Sequence, residues 1–187
     1  MGKWWDVAHQ GDVRAARRSP WRDERGANLL EFALVVPILM LIVFGIIEFG
    51  VAYNNSLALR AGAQEGARAG VVANFGPTTP TGCTLGPSGP TTGSSAGRLM
   101  CLTKNRIGLA QASVRLNVSF VDGGGTAGAL YEVGDYVRIC AEFPLTSVSG
   151  FFGPFLNGRR QTVRAEMRIE QVAVPALVAA SEGNPAC

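Results

Sequence analysis

From Phe32 to Ile47 the chain carries no charged residue and consists mostly of Leu, Ile, Val, Phe, Met and Ala. Such a run, apolar all round, predicts a helix surrounded by lipid or other apolar groups, not one with a polar outer face. At 1.5 Å per residue it covers only about 24 Å, short of the ~30 Å hydrocarbon core of a bilayer, so a span must borrow its flanks. Residues 27–53 give ample length but draw Glu31 and Glu48 into or near the membrane. Glu48 is read as the marker of the outer boundary, and Pro37 as a kink or a tolerated membrane proline. Helical character then continues, because Ser56–Val72 is rich in Ala, Leu, Gln, Glu and Arg and contains no proline. A continuous helix over 29–72 would be roughly 65 Å long. On its outer half Ala58, Gly62, Gly66 and Gly70 recur every four residues, a small-residue face that a sheet or second helix can approach closely. Each glycine would cost about 1 kcal/mol in an isolated helix, so packing must offset it.

Past Val72 the pattern changes. Residues 73–97 are crowded with Gly, Pro, Thr and Ser and predict a long exposed loop. Ala96–Ala110 places Leu99, Leu102, Ile107 and Leu109 among basic residues, which predicts a short helix. Three alternating runs follow, with the two-residue period of half-buried strands: Ser113–Val121, Tyr136–Phe143 and Thr162–Glu170. The predicted class is α+β, a long N-terminal helix on a small antiparallel sheet whose apolar face the glycine-bearing helix covers. The predicted boundaries are a leader at 1–26, a transmembrane helix at 27–53, its outer continuation at 54–72, the loop at 73–97 and an α+β domain at 98–187.

Charge fixes an expected orientation. Residues 1–26 hold six Lys/Arg, whereas the first basic residue after the apolar run is Arg60, so the N-terminus stays in the cytoplasm and everything after the span lies outside. All four cysteines fall in that outer part, where disulfides persist. They allow three pairings; Cys83 with Cys101 is the pair that would close the flexible loop, contributing roughly 3 kcal/mol. Charged residues make up 17% of the chain and form no basic patch for nucleic acid. The single histidine, His9, lies in the leader, leaving no outer histidine as base or metal ligand. No catalytic set, metal site, cofactor or small-molecule substrate is expected. The run Gly123–Gly128 spells G-x-G-x-x-G, but a new strand follows almost at once, so it is read as a hairpin loop. Glu166 and Glu170 alternate with Arg164 and Arg168 as a solvated strand face. Phe151, Phe152 and Phe155, in a Gly/Pro loop, are read as a plug over the sheet edge or as a subunit contact.

The leader ends in Gly26, followed by Ala27-Asn-Leu-Leu-Glu31-Phe32 and the apolar helix, the arrangement of a prepilin processing site. A membrane-embedded peptidase needs a residue without a side chain before the scissile bond, and Gly26 meets that need. Cleavage there would leave a charged amine on Ala27 about one turn from Glu31. A carboxylate at that depth costs about 2.5–3.5 kcal/mol unless paired, and the new amine is the evident partner. These residues, with Gly45-Ile-Ile-Glu-Phe-Gly and Ala63-Gln-Glu-Gly-Ala-Arg68, resemble the TadE-like family of tight-adherence (Flp/Tad) pilus proteins; a weaker likeness lies at Val163–Glu170. The resemblance implies a pilin-like fold and a minor pilin or pseudopilin, cut by a prepilin peptidase and assembled with other pilins and the tight-adherence secretion platform. It places the protein in the bacterial inner membrane, and in the pilus if it is incorporated there. Three other readings remain: a secretory signal peptide cut before Tyr53, an uncleaved anchor, and an anchored or secreted binding module using the 73–97 and Phe151–Phe155 loops.

Overall fold

The computed structural model describes residues 24–76, 82–123, 126–128, 131–170 and 178–183. Helix α1, Glu24–Val71, is followed by α2, Ser95–Ile107; β1, Arg115–Val121; β2, Ala127–Gly128; β3, Tyr136–Pro144; α3, Gly153–Leu156; β4, Arg160–Arg168; and β5, Ala180–Ser181. The class is α+β, a long apolar N-terminal helix packed on a small antiparallel sheet. The chain divides into two compact units, Met1–Ile42 and Val43–Cys187. In the first, the described residues are α1 alone. Its helix already includes Glu24 and Arg25, inside the stretch read as leader, and from Gly26 to Ile42 every side chain is exposed except half-buried Val36. Most of the predicted leader, including Trp4, Trp5 and His9, lies outside the described residues.

In the second unit the outer half of α1 buries Leu59, Gly62, Ala63, Gly66, Ala67, Ala69 and Gly70, the three- and four-residue spacing of one helix face. Ala58 is half-buried at its margin. A Cβ on Gly62 would lie 2.2 Å from Ile107 Cγ1 and 2.8 Å from its backbone nitrogen. One on Gly66 would meet Thr103 Oγ1 at 2.2 Å and Ile139 Cδ1 at 3.0 Å, and one on Gly70 would meet Val137 at 3.2 Å and Leu99 at 3.3 Å. The glycines therefore receive both α2 and β3. The helix closes with Asn74 N–H donating to the Ala69 carbonyl (2.9 Å) and Ala73 left-handed at φ 55°, a position where glycine is usual. Tyr131 donates its hydroxyl to the final-turn carbonyls of Gly70 and Val71, at 3.1 Å from each, and meets Phe120 edge-on.

The sheet has the order β2-β1-β3-β4, with β5 also on β1, and every pairing is antiparallel. Leu116, Val118 and Phe120 face Ala141, Ile139 and Val137, which in turn face Val163, Ala165 and Met167. The predicted runs thus coincide with β1, β3 and β4, and two short strands are added. β2 arises because the Gly-rich run closes a hairpin, pairing Val121 with Ala127, with Thr126 N–H donating to Asp122 Oδ1 (2.7 Å); residues 124–125 lie outside the described set. β5 has two residues and no alternation, so periodicity could not reveal it.

α2 begins at Ser95, inside the range read as loop, because Ser94 caps it by accepting from Gly97 N–H (3.0 Å). Gly108, left-handed at φ 69°, ends it. The preceding segment is fastened to α2 at several points. Cys83 and Cys101 form a disulfide. Lys104, 2% exposed, donates Nζ to the Thr84 carbonyl (2.8 Å) and pairs with Glu182, 3% exposed, at 2.8 Å. Glu182 also accepts from Gly86 N–H, and Arg98 donates to the Gly76 carbonyl. The expectation that residues 73–97 form an exposed loop thus holds only in part. Cys140 is disulfide-bonded as well, and no described cysteine is free.

Two stability tests follow. Gly62→Ala should lower stability by about 1–3 kcal/mol despite the better helix propensity of alanine, whereas Ala73→Gly should raise it by about 1 kcal/mol, both read by thermal unfolding of the full chain. Lys104→Met strands a buried carboxylate and should lower stability by about 3–5 kcal/mol, and adding Glu182→Leu should restore most of the loss, as measured by denaturant titration.

Candidate functional site

The apolar part of α1 is the candidate site. Gly26, Ala27, Glu31 and Phe32 lie on its first three turns, all exposed, with Phe32 67% so. No described residue lies within 4 Å of where a side chain on Gly26 would begin, in contrast to Gly62, Gly66 and Gly70. Leu29, Ile38 and Ile46 are each more than 60% exposed. A helix this long and this apolar suffices to cross a membrane.

At the outer end of the apolar run the structure adds an arrangement that the sequence did not disclose. Glu48, read as a plain boundary marker, is 6% exposed. Its Oε1 accepts from Ser147 Oγ at 2.5 Å, Ser149 Oγ at 2.7 Å and Ser149 N–H at 2.9 Å, and its Oε2 from Val148 N–H at 3.1 Å. Ser147 Oγ and Ser149 Oγ in turn accept from Gly150 and Phe151 N–H. The carboxylate thus organises the first turn of the β3–β4 connection. Phe151 stacks on Phe44 with centroids 6.5 Å apart and meets Phe152 edge-on at 5.2 Å. Gly45, Phe49 and Ala52 of α1 with Phe152, Phe155 and Leu156 line an apolar groove of about 230 Å³. The reading of these phenylalanines as a plug over the sheet edge is corrected: they turn onto α1, because Glu48 draws their loop there. No periodicity links positions about a hundred residues apart; Ser147-Val-Ser149-Gly150 before two phenylalanines was the only local cue.

Glu166 lies between Arg138 and Arg164, whose Nη2 is 2.6 Å away; burial alone would raise its carboxyl, but hydrogen bonds and charge from the two arginines hold it below the usual range. Among the described residues no group of three His, Cys, Asp or Glu could hold a metal ion.

Residues 26–68 match the family model described as TadE-like protein, so the resemblance read from the sequence is supported over the span that carried it. No curated protein and no solved structure matches the chain. The matched segment runs from the exposed Gly26, through Glu48, to the buried glycine face.

Replacing Glu48 by Ala should leave the sheet intact but release the serine loop. Hydrogen exchange at the Val148 and Ser149 amides should then speed up by roughly tenfold or more, with the β1 and β3 amides unchanged.

Proposed function

We propose that the protein is a minor pilin or pseudopilin required for biogenesis of a tight-adherence pilus, processed between Gly26 and Ala27 and assembled through α1. The observation that carries this reading is the TadE-like match over 26–68, which covers the apolar part of α1 and extends to Gly62 and Gly66 of its glycine face. In this reading residues 1–26 are a cytoplasmic leader, 27–53 the span, and 54–72 with 98–187 the outer domain. Residues 73–97 join the two parts of that domain. The leader's basic residues hold it inside, and disulfide bonding of Cys83 to Cys101 agrees with an oxidising outer compartment.

The chemistry is assembly. After cleavage the Ala27 amine can pair with Glu31 of its own or a neighbouring chain, one turn away, which lowers the cost of a carboxylate at that depth. Exposed Leu29, Phe32, Leu34 and Ile38 then exchange lipid contacts for contacts with other pilin helices and the assembly platform. Gly26 supports the processing step in particular. Among the described residues nothing would meet a side chain there, so a glycine at that place agrees with a demand from outside the chain, as a narrow peptidase site would make.

Mass spectrometry of the protein recovered from membranes should find Ala27 at the N-terminus when the host prepilin peptidase is present and not when it is absent. Gly26→Ala should abolish that start while leaving the melting temperature unchanged, and Glu31→Ala should permit folding but impair piliation. An N-terminus that does not depend on the peptidase, or normal piliation without the protein, would sink the reading.

A further inference from the structure

The connection between β3 and β4 runs along α1 in a definite direction. Its ends close where Leu145 N–H donates to the Arg159 carbonyl (2.8 Å), and at its base Gln161 Nε2 donates to the carbonyl of Ala52 (2.9 Å). Ser147 and Ser149 then reach Glu48, and Phe151 reaches Phe44. From Ala52 to Phe44 the loop therefore descends about 12 Å along the helix, toward its N-terminal, charge-free stretch. No charged residue occurs from Leu145 to Gly158, and Arg159 and Arg160 follow immediately. Val148, Phe151 and Phe155 are 62%, 58% and 71% exposed, on the same part of the unit as Phe49 at 73%.

The length of the apolar run makes this placement informative. Phe32–Ile47 is four residues short of the about twenty that a hydrocarbon core requires, and a span over residues 27–53 takes in Glu48 and the residues beside it. A carboxylate there needs donors to replace water, and all four of its donors come from the loop. Resting on the reading that α1 crosses the membrane, we propose that residues 145–158 form a membrane-interface insert: Val148, Phe151 and Phe155 enter the outer leaflet beside α1, and Glu48 is the positioning residue that holds them there. The occupant of this surface is the lipid interface, since the patch continues the apolar surface of the helix and ends in two arginines at the level where phosphates lie. Phenylalanine gains from leaving water at that depth, and arginine reaches the headgroups.

The test uses the full chain with Trp4, Trp5 and Trp21 changed to Phe, reconstituted in phosphatidylcholine vesicles with or without bromine on the acyl chains. Phe155→Trp reports the loop, and Leu39→Trp reports the span. Quenching of both probes, with a loss of roughly half or more of the Phe155→Trp emission in brominated lipid, is the expected result. Quenching at Leu39→Trp with a water-like, unquenched Phe155→Trp overturns the insert while leaving the span intact. A blue-shifted but unquenched Phe155→Trp also overturns it, by showing a protein contact such as a second copy. If neither probe is quenched, the membrane reading fails and the insert with it. Adding Glu48→Ala should remove most of the Phe155→Trp quenching and none of that at Leu39→Trp; unchanged quenching at both overturns the role given to Glu48.

Discussion

Close approach of other elements to the backbone of α1 governs the arrangement of the Val43–Cys187 unit. Gly62 and Gly66 let Ile107 and Thr103 come within distances that any side chain would forbid, and Gly70 admits Val137 at a distance that a side chain would crowd. One helix face thereby serves as the floor for both α2 and the sheet. Leu59, Ala63 and Ala67, also without exposure, complete that face. Without this contact the apolar faces of β1 and β3 would lie open to water, and a small sheet cannot bury them against itself.

Around that contact the remaining structure is held by links between distant segments. Tyr131 ties the β2–β3 connection to the end of α1, and Cys83 ties the preceding loop to α2. The Lys104–Glu182 pair joins α2, the loop and the residues after β5 in one buried place. A buried ion pair is weak as net stabilisation but severe when broken, so it favours one pairing of these segments over others. Glu48 acts likewise at the opposite end of the domain: four donors converge on it, and each comes from the same short loop.

Periodicity was a sufficient guide wherever a segment had a regular face. The four-residue glycine spacing and the alternation in β1, β3 and β4 each reported one face of one element, and the structure pairs those faces. The misses share a different physics. Glu48, Lys104 and Glu182 are charged residues whose burial depends on partners up to about a hundred positions away, and local pattern assigns a lone charge to water. Ser94 began α2 earlier than its apolar positions suggested, because a cap is a single side-chain hydrogen bond and not a pattern. Gly26 was singled out by its sequence context and not by packing, and no described residue lies within 4 Å of where its side chain would begin.

The position of Glu182 has a consequence for biosynthesis. Lys104 lies in the last turn of α2, yet the carboxylate that satisfies it belongs to a residue translated seventy-eight positions later. β5, which pairs with β1, immediately precedes that residue. Neither the α2 side nor that edge of the sheet can close until residues 180–182 have left the ribosome. The domain must therefore stay in an open form, exposed to proteases and chaperones, until these late residues join it.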